Sequence, residues 1–169
     1  MLSKAVEEGL TLLVVGDSTT RAMVFVKAAS SSPRRQPSLF FSPYPGFTRL
    51  LVKASQALGA EGLMDSVLVS TVAAEPSKLE EVVGSLSSML TEGLASVVAF
   101  DSLFAPAFKA AGRDVVERGK LTSALSMLRA LARKGRICVL IMEASEPPRL
   151  ISKYVDATWP QAPLTRLEP

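Results

Sequence analysis

The chain has 169 residues, of which 48% are hydrophobic and 21% charged, with a formal net charge of +3, so its composition is that of a globular protein of about one domain. It has no histidine and a single cysteine, which excludes a Ser-His-Asp hydrolase, a Cys-His protease, a histidine-ligated metal site and an intrachain disulfide. No apolar run reaches the ~20 residues of a bilayer span and the acidic start does not fit a signal peptide, so we expect a cytoplasmic protein without membrane contact. Asparagine, a heat-labile residue, is also absent, which favours a thermophilic origin.

Short apolar runs alternate along the chain with segments of helical periodicity. The strands predicted from these runs are Thr11–Val15, Ser38–Phe41, Ser66–Val72, Ser96–Phe100 and Arg136–Met142. The helices predicted between them are Thr20–Ala29, Thr48–Leu58, Lys78–Thr91 and Asp114–Lys134. Each strand is a continuous apolar run, which is typical of parallel strands that helices cover on both faces. This βαβ order predicts an α/β fold with a mainly parallel sheet.

Local signals mark several boundaries of these elements. Ser77 and Glu80 have the spacing of a capping box at the start of the third helix, and Gly93 follows that helix as a stop signal. The polar, Pro-rich residues 30–37 predict a loop. We expect one domain over residues 1–159, followed by a Pro-rich C-terminal tail over residues 160–169.

The predicted sheet also indicates where a site would lie. In parallel α/β sheets, ligands bind at the carboxyl ends of the strands. Residues 16–21, 42–47, 101–105 and 143–149 follow four of the strands and are expected to converge on that edge. A catalytic or binding site is therefore expected first at this edge of the sheet.

The segment from Gly16 to Arg21, GDSTTR, follows the first strand and precedes a helix. Gly-Asp-Ser resembles the first block of the GDSL hydrolases, in which the serine is the nucleophile. Those enzymes take their base from a histidine, which this chain lacks, so Ser18 is not expected to act as a nucleophile.

Two further interpretations of this segment remain. A strand, a glycine turn and a helix N-terminus suit a bound phosphate, but the motif G-x-x-x-x-G-K-[ST] needs a second glycine, a lysine and a hydroxyl. The chain has Arg21 and Ala22 where the lysine and the hydroxyl would stand. The simpler interpretation is that Gly16 makes the turn while Asp17, Ser18 or Thr19 caps the helix.

Five segments distributed over the chain match, in the same order, the pattern of one protein family. They are SLFFSPYPGFTRLLVKASQALG, MDSVLVSTV, SVVAFDSLFAPAF, GRDVVERGKLTSALSMLRALARKGRICVLIMEAS and DATW. These segments resemble the ATPase core of the RecA/RadA recombinase family, with Phe47 and Arg49 matching its Phe and Arg, and Asp101 and Ser102 matching the end of its Walker B strand. The resemblance implies a RecA-like three-layer α/β fold with a mainly parallel central sheet.

The same resemblance implies that ATPase activity has been lost. The lysine of the phosphate loop is replaced by arginine, and the catalytic glutamate position falls in Ser42-Pro43-Tyr44, which has no carboxylate. ATP hydrolysis needs the lysine, a hydroxyl on Mg²⁺ and a group that orients water. We therefore expect no catalytic residue, no bound metal and no cofactor, and only a degenerate nucleotide pocket formed by Gly16, Asp17, Ser18, Thr19, Thr20, Arg21, Asp101 and Ser102.

The last predicted helix is strongly basic. From Lys109 to Arg136 there are eight basic residues and two acidic ones. Helical periodicity places Arg118, Arg129 and Arg133 beside the apolar face, where they would form a cationic stripe suited to phosphates. The alternative is a solvated face whose arginines pair with acidic neighbours. The candidate nucleic-acid-binding residues are Arg34, Arg35, Arg118, Arg129, Arg133 and Lys134.

The resemblance and the charge pattern together imply a non-catalytic paralogue that assists homologous recombination or DNA repair. Its expected partners are single-stranded DNA and a recombinase or a sister RecA-like paralogue, in a homo- or hetero-oligomer. One alternative is an inactive RecA-like structural subunit of another assembly, as in Elongator. Another is an unusual nucleotide-binding ATPase that uses Asp17, Thr19, Thr20 and Asp101.

Overall fold

The computed structural model of the chain describes residues 1–33 and 35–160. Its strands are β1 (Thr11–Val15), β2 (Ser38–Ser42), β3 (Val67–Thr71), β4 (Val97–Asp101), β5 (Cys138–Glu143) and β6 (Ala157–Trp159). They form one sheet in the order β3-β2-β4-β5-β1-β6, and every neighbouring pair is parallel. The strands predicted from the apolar runs are confirmed. Of the predicted tail, only Pro160 is among the described residues.

Helices cover both faces of this sheet. They are α1 (Leu2–Glu8), α2 (Ser18–Ser31), α3 (Phe47–Ala57), α4 (Pro76–Ser85), α5 (Ser87–Thr91), α6 (Phe104–Ala111), α7 (Val115–Gly135) and α8 (Arg149–Ser152), with a 3₁₀-helix at Glu61–Ser66. The first three pack on one face, and α4, α5, α6 and α7 pack on the other. The chain is therefore an α/β protein whose three layers are consistent with a RecA-like fold, as predicted. Among the described residues, no helix is both long enough and apolar enough to cross a bilayer.

Two hydrophobic cores lie on opposite sides of the sheet. Phe25 and Phe40 belong to the core under α1, α2 and α3, whereas Phe100, Leu121 and Leu125 belong to the core under the other layer. Successive residues of β4 contribute alternately to the two cores, because side chains alternate between the faces of a strand. This double burial explains why the central strands are continuous apolar runs rather than alternating ones.

The edge strand β3 departs from that pattern. Every predicted strand was expected to be covered on both faces, but Leu68 in β3 is 58% exposed, and Ser70 and Thr71 are exposed as well. The reason is that β3 lies at the edge of the sheet, while α4 packs against α7 rather than beneath β3. The prediction of complete coverage is wrong for this strand.

The third predicted helix is also divided in the structure. It begins at Pro76 with Glu75 as the N-cap residue and no side-chain cap, so the capping box assigned to Ser77 and Glu80 is wrong. It ends at Ser85, and α5 follows after Leu86, whose N–H is shared between two carbonyls of the preceding turn. Gly93, with φ of +67°, follows α5 as the expected stop.

The end of α7 brings two backbones into close contact. Arg136 was predicted to begin a strand, but it adopts a left-handed conformation with φ of +53° and caps α7, so β5 begins two residues later. Immediately before it, Gly135 lies against α5, and a Cβ atom there would stand 1.6 Å from the carbonyl oxygen of Leu90. Only glycine fits at this helix crossing without a backbone shift.

Candidate functional site

The turn between β1 and α2 is closed by local hydrogen bonds. The Gly16 N–H donates to the carbonyl of Glu143 at 3.1 Å, and Asp17 is the N-cap of α2, its Oδ1 accepting from the Thr20 N–H at 2.7 Å. That bond lowers the pKa of the exposed Asp17 carboxyl. A Cβ atom on Gly16 would lie 2.9 Å from the Thr20 methyl group. The predicted glycine turn and helix cap are both present, with Asp17 as the cap.

Arg21, one turn into α2, points into the protein. The residue is only 4% exposed, and its Nε donates to Asp101 Oδ1 at 2.6 Å. Nη1 donates to the carbonyl of Gly16 at 2.8 Å and Nη2 to Ser102 Oγ at 3.4 Å. The guanidinium carbon also lies 5.8 Å from the centre of the buried Phe47 ring. The guanidinium is therefore enclosed by partners supplied by three separate segments of the chain.

Asp101 ends β4 and is completely buried. Besides Arg21, it accepts a bond on Oδ2 from Ser42 Oγ at 3.4 Å, and Ser42 in turn accepts from the Tyr44 N–H at 3.2 Å. Burial raises the pKa of the Asp101 carboxyl, and the hydrogen bond from Arg21 opposes this rise. The pair thus places two charged groups in an environment from which water is excluded.

The residue after Asp101 completes this enclosure. Ser102 has φ of +52°, an uncommon conformation for a residue other than glycine. Its N–H donates to the carbonyl of Met142 at 2.8 Å, and its hydroxyl faces the guanidinium of Arg21. The turn after β4 therefore directs a polar side chain inward, over the ion pair.

Glu143, at the end of β5, is a buried carboxyl that sequence analysis did not single out. It is 3% exposed, and its Oε1 accepts from the Ala105 N–H at 3.0 Å, so it caps α6, whose own N-cap residue Leu103 provides no side-chain bond. Burial raises the pKa of Glu143 to about 7, and the nearby Asp101 contributes to the rise. The sequence contained one signal for Glu143, namely that this carboxylate directly ends the apolar run of β5.

A shallow cleft of about 340 Å³ opens at the same edge of the sheet. Its lining includes Tyr44, Ser102, Lys109, Glu143 and Ser145, and the residues of the buried ion pair are not among those that line it. Three of the four loops predicted to converge line this cleft. The fourth, residues 16–21, contacts them from beneath, through the Gly16–Glu143 and Arg21–Asp101 hydrogen bonds. The cleft lies outside the ion pair, which is covered by the turns of the protein itself.

Two predicted pocket residues lie away from this group. Ser18 and Thr19 are exposed on the first turn of α2, and Thr19 lines a groove between α2 and α3 instead. Among the residues that the structure describes, no three His, Cys, Asp or Glu side chains are grouped as a metal site would require. The residues brought together are Gly16, Thr20, Arg21, Asp101 and Ser102, with Asp17 as the cap beside them.

The three predicted arginines of α7 have partners within the protein. Arg129 donates to Asp156 Oδ1 through Nε at 3.1 Å and Nη2 at 2.9 Å, and Arg133 bonds the same carboxylate. Arg118 donates to the carbonyl of Gly112 at 3.1 Å and lies over the Phe108 ring. Two of the arginines therefore share one acidic neighbour, as the alternative interpretation expected, and the role of the three in binding nucleic acid stays a prediction.

Asp156 also connects α7 to the sheet through hydrogen bonds. Its Oδ2 accepts from the Thr11 N–H at 2.9 Å, and its side chain is 8% exposed. Burial raises its pKa, but the bonds from Thr11, Arg133 and Arg129 outweigh burial, so the pKa is lowered. Sequence analysis did not single out this residue, because its partners lie far away in the chain.

The remaining nucleic-acid candidates are not paired in this way. Lys134 is exposed near the end of α7 and Arg35 is exposed in the loop before β2, and neither forms an ion pair with another described residue. Arg34 lies outside the described residues. Lys134 belongs to α7 together with the three arginines, whereas Arg35 lies in the loop between α2 and β2.

The buried Glu143 predicts a pH dependence of stability. Its pKa is about 7 in the folded protein against 4.5 as the ordinary value, so the folded state binds the proton more tightly and stability falls as pH rises from 4.5 to 7. We expect this carboxyl to cost about 3 kcal/mol above pH 7. Glu143→Gln, which keeps the acceptor for Ala105, is expected to be more stable than the wild type at pH 8 and nearly equal at pH 4.5.

Urea unfolding of the wild type and of Glu143→Gln across this pH range measures the difference between their free energies of unfolding. The contributions of the other titratable groups cancel in this difference. Parallel stability curves for the two proteins would contradict the assignment of a raised pKa to Glu143.

No family model matches the chain, and no curated protein matches it.

Proposed function

We propose that the protein is a non-catalytic, RecA/RadA-like paralogue that assists homologous recombination or DNA repair by binding other macromolecules. The observation that carries this proposal is the buried pair of Arg21 and Asp101, 2.6 Å apart. By the resemblance, these residues stand where an active ATPase has its phosphate-loop lysine and a metal-site aspartate. Here they bind each other.

The turn before α2 is not suited to binding a nucleoside triphosphate. A phosphate loop offers free backbone N–H groups at a helix N-terminus. In this chain the Thr20 N–H is bonded to the Asp17 carboxylate, and Gly16 presents its carbonyl to Arg21. A carboxylate at the helix N-terminus repels an anion there, so the site favours neither the β- nor the γ-phosphate.

The acidic side of the site does not fit Mg²⁺ either. Asp101 is bonded to a guanidinium on one oxygen and to the Ser42 hydroxyl on the other, and a cation next to Arg21 would be repelled. The one buried carboxyl nearby, Glu143, is bonded to the N-terminus of α6. The proposal therefore assigns Glu143 to capping this helix rather than to orienting a water molecule for hydrolysis.

A recombinase or a sister RecA-like paralogue is the partner that we propose first. The α7 arginines, which would have provided a DNA-binding surface, are engaged by Asp156 and by Gly112. Single-stranded DNA stays a second partner in this proposal, through Lys134 and Arg35. The same pairing of α7 favours, as the second candidate function, an inactive RecA-like structural subunit that contacts no DNA.

Purified protein is expected to show no Mg²⁺-dependent ATP hydrolysis above background and no saturable ATP binding. Phosphate release and equilibrium dialysis with ATP measure the two quantities. Asp101→Asn serves as the matched control, since it removes the carboxylate on which a hidden activity would depend while retaining the shape of the side chain. ATP turnover in the wild type that is lost in Asp101→Asn, with this variant folded by circular dichroism, would overturn the non-catalytic assignment.

The partner in the proposal has its own test. Immobilised protein is expected to retain the recombinase of its source organism and to alter the rate of DNA strand exchange by that recombinase. If the recombinase is not retained and strand exchange is unchanged, the structural-subunit alternative takes the place of the recombination role.

A further inference from the structure

One continuous segment of the chain is free of acidic residues. From Ser18 to Ala60 the chain has six basic residues and no aspartate or glutamate, so the remaining residues together carry a net charge of −3. This segment forms α2, β2 and α3. Arg21 is buried, whereas Lys27, Arg35, Arg49 and Lys53 are exposed. The part of the layer that α2 and α3 form therefore presents positive charge to solvent.

These exposed cations have no acidic partner in the described residues. The nearest elements that contain acids are α1, which packs on α2, and the 3₁₀-helix Glu61–Ser66, which packs on α3. Neither provides an ion pair to the layer. This surface differs in that respect from the basic face of α7, where Arg129 and Arg133 both pair with Asp156.

Two apolar grooves run beside these cations. One, of about 190 Å³, lies between α2 and α3 and is lined by Ala22, Met23, Leu50, Ala54 and Ala57 together with Lys53. The other, of about 350 Å³, follows the outer face of α3 past Val52, which is 37% exposed. Arg49 and Lys53, one helical turn apart, line this second groove, and Lys53 borders both.

We propose that this α2–α3 surface binds an acidic peptide segment of a partner protein, with an apolar side chain in the groove and carboxylates on Arg49 and Lys53. A phosphate backbone would gain from the cations but has nothing to place in an apolar groove. The aromatic residues of α2 and α3, Phe25 and Phe47, are buried, and the exposed Tyr44 before α3 lines the cleft at the sheet edge rather than either groove. Neither groove therefore has a ring on which bases could stack. Charge complementarity and a groove for an apolar anchor together fit a peptide.

The inference does not depend on the proposed recombination role, because it uses no residue of the turn at Gly16. Lys53 and Arg49 lie on α3, and the groove residues lie on the outer parts of α2 and α3. A failed recombinase test would leave this surface unchanged, and the two proposals can therefore be tested separately.

The test is selection of a random-peptide display library on the full-length protein, followed by affinity measurements with the enriched synthetic peptides. We expect enriched peptides to combine acidic residues with a large apolar residue. Arg49→Glu/Lys53→Glu is expected to weaken their binding at least tenfold. Ala57→Lys, which adds positive charge but fills the groove, is also expected to weaken it.

The matched control is Arg113→Glu/Lys153→Glu, which makes the same charge change on exposed residues on the other side of the sheet and is expected to leave the affinity unchanged. Circular dichroism and urea unfolding verify that each variant is folded. Enriched peptides without acidic residues, or equal binding by Arg49→Glu/Lys53→Glu, would overturn the inference. The inference would also be overturned if no peptide were enriched and the protein instead bound single-stranded oligonucleotide in a salt-sensitive way that Arg49→Glu/Lys53→Glu abolished. The surface would then be a nucleic-acid site.

Discussion

Replacing Arg21 with methionine is expected to lower the free energy of unfolding by about 3–5 kcal/mol at neutral pH, because it leaves a buried carboxylate without its counter-ion. Asp101 is fully buried and 2.6 Å from the guanidinium. Without Arg21, only the hydrogen bonds from Ser102 and Ser42 oppose the rise that burial causes in the pKa of Asp101, so protonation relieves the penalty as pH falls. Urea unfolding at several pH values should show a loss that shrinks towards acidic pH.

A double-mutant cycle distinguishes charge from packing in this result. Asp101→Asn in the Arg21→Met background removes the uncompensated charge while retaining the shape of the side chain, and it is expected to recover part of the lost stability. Equal destabilisation at acidic and neutral pH, with no recovery in the double variant, would show that the pair contributes through packing alone.

Gly135→Ala is expected to destabilise the protein by about 3 kcal/mol, at the upper end of the usual range for overpacking. The added methyl group would stand 1.6 Å from the carbonyl oxygen of Leu90 and 2.8 Å from its carbonyl carbon. Both obstacles are backbone atoms, so α5 and α7 must separate. Thermal and urea unfolding measure the loss.

Gly119→Ala is the matched control in the same helix. A Cβ atom there has nothing within 4 Å, and alanine favours a helix interior over glycine by about 0.5–1 kcal/mol. We therefore expect a small stabilisation at Gly119 and a large destabilisation at Gly135. Changes of the same sign at both positions would mean that α5 yields to the methyl group at little cost.

The central strands were predictable because burial on both faces makes a strand an apolar run, whereas β3 is apolar enough to be predicted but is exposed at the edge of the sheet. The long helix α7 was predictable because Leu121, Leu125 and Leu128 repeat with helical period and are all buried. The helix α6 was not predicted, since its N-terminus is capped by Glu143, which lies 38 residues further along the chain than Ala105. Local sequence contains no trace of such a cap.

In the site, too, the local contacts were predictable and the distant contacts were not. The cap at Asp17 bonds Thr20, three residues away, and sequence analysis identified it among three candidates. Arg21 and Asp101 were both assigned to one edge of the sheet, but they are separated by 80 residues, and periodicity does not show which way a guanidinium turns. Likewise, the helical pattern placed Arg129 and Arg133 on one face without showing that Asp156 lies opposite.

The place of β1 between β5 and β6 has a consequence during synthesis. Thr11 pairs with Val139, and the ribosome needs roughly 6 to 25 s to make the intervening residues at about 5–20 residues per second. Throughout that interval the apolar strand near the start of the nascent chain has neither of its neighbours. It is the stretch that a chaperone would be expected to cover until the second half of the sheet emerges.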